Sequence, residues 1–153
     1  MAFVRIDNRL VHGQIIETWL PFTRAKSIVV VNDALAADFL RQEIMSLAIP
    51  DGVRIAFLPI AGLAAFLTDT PAEAEEALIL FASCHDARIA YEKGFGFHVL
   101  NLGNLHYAPG KKQVCAHVAL SSEDESCLDF FRDKGVRLDY RCVPSDPAQL
   151  RAV

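Results

Sequence analysis

The sequence lacks the features that mark a membrane-spanning, secreted or nucleic-acid-binding chain. Its apolar runs are brief: Ile28–Val31 and Ala77–Ala82 fall far short of the roughly 20 residues that a membrane-spanning helix needs. Arg5, Asp7 and Arg9 lie within the first nine residues and break any apolar stretch of a secretory signal. The expected location is therefore the cytosol, unless a partner holds the chain against a membrane. Cys84, Cys115, Cys127 and Cys142 are widely spaced and form no CxxC pair, which favours reduced thiols over a disulfide framework or a metal site. His98, His106 and His117 show neither HxxxH nor HxH spacing, so no metal is expected, and nothing calls for another cofactor. Acidic residues outnumber basic ones, with a net charge of −4. That argues against a nucleic-acid partner, because affinity for phosphate backbones needs a basic footprint. A glycine-rich phosphate loop of either familiar type is also missing, which counts against a nucleotide-binding module without chemistry.

What is present suits one globular domain over residues 1–153 with a sizeable core: 52% hydrophobic residues, 22% charged and only seven prolines. Ala2–Asp7 reads as a first strand and Gly13–Trp19 as a helix. The β-branched run Ser27–Val31 predicts a strand buried on both faces. Asn32-Asp33 supplies a turn and a cap for one helix through Ala48, with Leu35, Phe39 and Ile44 among its apolar residues. Strands follow at Val53–Leu58, Ala77–Ser83, His98–Leu102, Lys111–Leu120 and Val136–Val143. Between them lie helices at Ala61–Leu67, at Asp86–Lys93 and from Ser121 or Ser122 to Gly135, the last opened by a capping box with Glu125. The turn-rich link Tyr107–Gly110 would permit an antiparallel pairing of the strand after it. Strands alternating with helices predict an α/β fold, an open, mostly parallel sheet of about six or seven strands with helices on both faces. Ligands of such sheets sit beyond the carboxyl ends of the strands, where strand order reverses. The loop Asp7–Gln14 is then the expected functional region.

That loop is unusual on physical grounds alone. Arg5 and Asp7 lie two apart in a strand and project from the same face, where each could neutralise the other. The next helix begins just after His12, and helix N-termini, with their unpaired amides and partial positive charge, attract anions. Gly13 would let the backbone approach such an anion. With a phosphoryl group on His12, the neutral imidazole is the nucleophile. Arg9, Arg5 and the helix terminus are expected to lower its pKa and to stabilise the transferred charge, while Asp7 orients an arginine or the ring. From spacing alone His12 also reads as a helix-capping histidine, and Arg5 with Asp7 as an ion pair bracing the sheet. Ser83, at the end of the fourth strand, either reaches the phosphate or caps a helix. In Cys84-His85-Asp86 adjacent side chains do not converge, so this is not a catalytic cluster.

The stretch Arg5–Gln14 closely resembles the phosphorylation-site signature of the mannose/fructose/sorbose family of phosphotransferase-system enzyme IIB subunits, R-[IV]-D-x-R-L-[IL]-H-G-Q-[VI], with a tryptophan shortly after. Arg5, Ile6, Asp7, Arg9, Leu10, His12, Gly13, Gln14, Ile15 and Trp19 match, and Val11 is a mild variant. Asn32-Asp33, Ala36-Ala37-Asp38, Asn101-Leu102-Gly103 and Gly110-Lys111-Lys112 extend the resemblance along the chain. Asn104 departs from it, where the family often has a second glycine. The resemblance implies an open, mostly parallel α/β fold and a phosphotransferase working through a phosphohistidine. His12 would accept the group from a phosphorylated enzyme IIA and pass it to a sugar held by the membrane permease subunits IIC and IID. Arg9, Arg5 and Asp7 would serve the transfer, and Gly13, Gln14 and Ser83 would line the phosphate. A regulatory phosphocarrier uncoupled from transport would need the same site. The sugar and the oligomeric state, a homo-oligomer included, are left open by the sequence.

Overall fold

The two runs without a polar break become the centre of a sheet. Ser27–Val31 (β2) and Ala77–Phe81 (β4) are buried at every position, pair in parallel over their full length, and alternate their side chains between two hydrophobic clusters. Val29, Val31, Ile79 and Phe81 face one cluster, Ile28, Val30, Leu78 and Leu80 the other, as the two-residue period of a strand requires. The computed structural model describes residues 1–147.

Around this pair, Phe3–Ile6 (β1), Arg54–Leu58 (β3), Val99–Leu102 (β5) and Arg137–Asp139 (β8) complete a six-stranded sheet in the order β3-β2-β4-β1-β5-β8. All its pairings are parallel. The predicted α/β architecture is therefore the one observed. On one face lie Leu63–Asp69 (α4), Cys84–Glu92 (α6) and Ser122–Asp133 (α7), contributing Leu63, Ala87, Ala90, Leu128 and Phe131 to the core. On the other lies a π-helical turn, Ile15–Trp19, running into Leu20–Thr23 (α1), together with Asp33–Ala36 (α2). Ile15, Trp19, Leu20 and Leu35 are their core residues.

Several elements differ from expectation. The single helix through Ala48 is two: Asn32 caps α2 through the Leu35 amide, and Asp38 then caps a second helix, Phe39–Ser46 (α3), through the Arg41 amide. A second strong cap inside the run restarts the helix. No residue of α3 is buried, and Phe39 and Ile44 are 77% and 59% exposed. Pro71–Glu75 (α5) adds a short helix before β4. The sixth strand folds on itself as a hairpin of Lys112–Cys115 (β6) and Val118–Leu120 (β7), an antiparallel pair outside the main sheet. The capping box of α7 joins Ser121 to Asp124, not Glu125: the Asp124 amide donates to the Ser121 hydroxyl at 3.0 Å, and the Ser121 amide donates back to the Asp124 carboxylate at 2.9 Å. The last strand stops at Asp139.

Candidate functional site

β1 lies between β4 and β5, and the loops leaving these three strands meet beyond their carboxyl ends. Asn8 ties them together. Its side-chain amide donates to the Ala82 carbonyl at 2.8 Å, its oxygen accepts from the His106 amide at 2.8 Å, and its own amide donates to the Asn104 carbonyl at 2.8 Å. The chain then turns tightly, with the Leu10 amide donating to the Asp7 carbonyl at 3.0 Å. Leu10 has a φ of 57°, a left-handed conformation that costs a non-glycine residue about 1–2 kcal/mol. Its side chain is buried in the cluster that holds Trp19, which anchors the strained turn. Trp19 in turn stacks on Phe3, lies 5.0 Å below the Arg5 guanidinium, and donates from Nε1 to the Cys142 carbonyl at 2.8 Å.

Because Val4 and Ile6 face the opposite core, Arg5 and Asp7 point together, and both are fully buried. They form an ion pair at 3.0 Å. Asp7 is the hub. One carboxylate oxygen accepts from Arg5 Nη2 at 3.0 Å, Arg5 Nε at 3.3 Å, Asn104 Nδ2 at 2.9 Å and His12 Nε2 at 2.9 Å; the other accepts from the Arg9 amide at 3.0 Å. Burial pushes the Asp7 carboxyl up, but the hydrogen bonds from His12 and Asn104, the charge of Arg5 and the Arg9 amide outweigh it and hold the pKa down at about 2. Asp7 thus orients both an arginine and the ring. The charge in contact with the imidazole is a carboxylate, not the cation anticipated from the sequence.

Arg5 has no N–H left for an anion in this arrangement. Besides Asp7 it donates to the Asn101 side chain, to Gln14 Oε1 at 3.2 Å and to the Arg141 carbonyl at 3.4 Å. It lies so close to the backbone of the β5 loop that a Cβ on Gly103 would collide with its Cζ and Nη2 and stand 2.6 Å from Nε. The Gln14 side chain is part of the same lattice, accepting from Asn104 at 3.1 Å and donating to Cys142 Sγ at 3.4 Å. Ser83 caps α6, its hydroxyl accepting from the Asp86 amide at 3.1 Å. The Arg9 side chain is exposed and makes no ion pair or hydrogen bond among the described residues. Gly13 is exposed, with nothing within 4 Å of where a Cβ would stand. His12 is 13% exposed, and its Nδ1 is buried with no hydrogen-bond partner among the described residues.

Asn8, Asn101, Asn104, Arg141 and Cys142 belong to the site but were not assigned to it from the sequence. Asn104, noted only as a departure from the family pattern, bonds both Asp7 and Gln14. Among the described residues no group of three or more His, Cys, Asp or Glu could hold a metal ion. Nor is any helix there long and apolar enough to cross a membrane.

Comparison with known proteins identifies the family and agrees with the fold. The model of the family described as the PTS system sorbose subfamily IIB component matches residues 1–151. The sorbose-specific EIIB component of Klebsiella pneumoniae is 30% identical over 148 residues, covering 97% of this chain and 90% of its own. The crystal structure of the IIBSor domain of the sorbose permease from the same organism superposes with a TM-score of 0.88 at 31% identity, over 96% of this chain and 90% of that one. The mannose-specific EIIAB component of Escherichia coli K12 is 29% identical over 96% of this chain, which spans 46% of that longer protein. The chain belongs to the sorbose-subfamily IIB components of the phosphotransferase system.

Proposed function

We propose that this chain is a sugar-specific phosphocarrier in which Nδ1 of His12 accepts a phosphoryl group from a phosphorylated IIA and passes it to a sugar held by the IIC/IID permease. The observation that carries the reading is the asymmetry of the ring. Nε2 meets the Asp7 carboxylate at 2.9 Å, while Nδ1 is buried without a partner among the described residues. A carboxylate with its pKa near 2 only accepts hydrogen bonds, so the proton of the neutral ring sits on Nε2 and the lone pair on Nδ1. A buried nitrogen without a partner is rare and costs about 1–3 kcal/mol.

Nδ1 attacks the phosphorus as the P–N bond to the donor histidine breaks, and the donor ring keeps the electron pair. The His12 ring gains positive character at that moment, and Asp7 faces it through Nε2–H. With its proton kept on Nε2 the phosphorylated ring leaves as neutral imidazole, a good leaving group, when the phosphoryl passes to a sugar hydroxyl, whose proton departs in that step. Arg9 is the exposed cation of the loop, unpaired among the described residues, and would meet the phosphoryl oxygens; the open space at Gly13 leaves the first-turn amides approachable. Arg5 acts one shell further out, through Asp7, and Ser83 through the start of α6. The enzyme class this implies is a protein-phosphohistidine–sugar phosphotransferase. Association with the membrane would be peripheral, through the permease.

Phosphoryl transfer from phosphoenolpyruvate through the general carriers and a cognate IIA, read by intact mass, tests the reading. A gain of about 80 Da, labile to acid, is expected on the wild type and not on His12→Ala. No gain from a IIA shown to be charged would refute it. Arg9→Gln is expected to slow phosphorylation of His12 by roughly 10²–10³-fold, the loss typical of removing one charge-stabilising donor. Because the Arg9 side chain has no partner among the described residues, its thermal unfolding should stay unchanged; an equal transfer rate would remove Arg9 from the site.

A further inference from the structure

Spacing gave no reason to pair the four cysteines, yet the packing of α6 on α7 brings two together. Cys84, the first residue of α6, and Cys127, in the first half of α7, are both in the core and 1% and 6% exposed. Their side chains are in hydrogen-bond contact. An open cavity of about 530 Å³ lies against Cys127, lined besides by His85, Arg88, Ser122, Glu123, Asp124 and Ser126. Cys127 therefore borders a space that a small solute can enter, and Cys84, in contact with it, is outside that lining. Arg88 is fixed at the cavity by Glu92 at 2.6 Å and by the Phe130 ring at 4.2 Å.

We propose that Cys84 and Cys127 are a redox-active dithiol pair, converted to a disulfide by a small peroxide that enters through the cavity between α6 and α7. Cys127 is the attacking sulfur. The hydrogen bond from Cys84 and the charge of Arg88 favour its thiolate and outweigh burial, Asp124 and Glu92, whereas the Cys84 thiol is held protonated by that same bond and by burial. The Cys127 thiolate displaces hydroxide from hydrogen peroxide and becomes a sulfenic acid, the hydroxide taking a proton to leave as water. Cys84 sulfur then attacks the sulfenic sulfur, losing its proton as the second water departs, and the S–S bond forms. Two thiols and one peroxide give one disulfide and two waters, and a dithiol reductant reverses the change. None of this draws on His12, so the pair and the phosphoryl site stand or fall separately.

The test is intact mass of the full chain after brief treatment with hydrogen peroxide and a denaturing, alkylating quench. The expected result is a loss of about 2 Da, restored by dithiothreitol. It should persist in Cys115→Ser and Cys142→Ser and disappear in Cys84→Ser and Cys127→Ser. The double variant Cys115→Ser/Cys142→Ser retains both proposed partners, so it serves even where the other two fail to fold. If it stays a monomer with two alkylatable thiols after peroxide, or if the 2 Da loss survives in folded Cys84→Ser, the proposal is wrong.

Discussion

Asp7→Asn is expected to remove about 3–5 kcal/mol of stability, a large part of the 5–15 kcal/mol typical of a domain. The substitution changes little in volume, so the effect is electrostatic. Arg5 is fully buried and its ion pair is Asp7 at 3.0 Å; without the carboxylate its charge remains in the core uncompensated. One end of the new amide would also present a donor to a pocket already crowded with donors from Arg5, His12, Asn104 and the Arg9 backbone. Denaturant unfolding at neutral pH measures the loss. The pH dependence separates this account from a simple packing defect. The Asp7 pKa is lowered in the folded state, from an ordinary 3.8 to about 2, so its contribution is fully present above pH 4 and disappears as pH falls through 2. That amounts to about 2 kcal/mol of acid-sensitive stability. The wild type should lose it across that window and the variant should lack that loss. Parallel acid curves for the two proteins would mean that Asp7 does not hold the network together.

Gly103→Ala should be nearly as damaging, for a different reason. Gly103 has an ordinary backbone conformation, and what forbids a side chain is the Arg5 guanidinium lying against its Cα. A methyl group there must push the guanidinium off Asp7, Asn101 and Gln14 together, and no rotation of a flexible tip avoids it because Arg5 is held at both ends. A cost of about 3–5 kcal/mol is expected, as for a broken buried pair, lowering the melting temperature by roughly 10 °C. Gly13→Ala is the control. Open space surrounds its Cβ position, so its melting temperature should stay within a degree or two or rise slightly. A mild Gly103→Ala, unfolding with the wild type, would overturn the view that Arg5 is rigidly seated.

These two positions also show how much of the site is readable from the chain. The pairing of Arg5 with Asp7 follows from strand alternation, and the gathering of loops at the carboxyl end of β1 follows from alternating strands and helices. The dense β-branched run Ser27–Val31 is enough to read β2 as buried on both faces, which it is. The partners of the pair were not legible. Asn101, Asn104 and the Arg141 carbonyl reach Arg5 or Asp7 from 96 or more residues away, and polar side chains buried by long-range packing leave no local period. For the same reason the Cys84–Cys127 contact was invisible in their spacing. The run through Ala48 carries Phe39 and Ile44 among its apolar residues and reads as one continuous helix. On α3 they face outward, and Asp38, an ordinary capping residue, divides the run. The hairpin at Lys112–Leu120 was missed because its two strands are too short to show a turn signal between them.

The position of β1 in the sheet also sets when the Arg5–Asp7–His12 cluster can exist. Residues 3–6 are made before their partners, for they lie between β4 and β5 and pair with residues 78–81 and 101–102, and Arg5 is finally seated by the carbonyl of Arg141. At a synthesis rate of roughly 5–20 residues per second, His12 waits roughly 6–25 s before the last of its supporting groups has been added to the chain. During that interval the nascent chain carries the Arg5–Gln14 sequence without the network that seats Arg5 and Asp7. A strand made before both of its neighbours closes only long-range contacts, the kind that cost most loop entropy in folding.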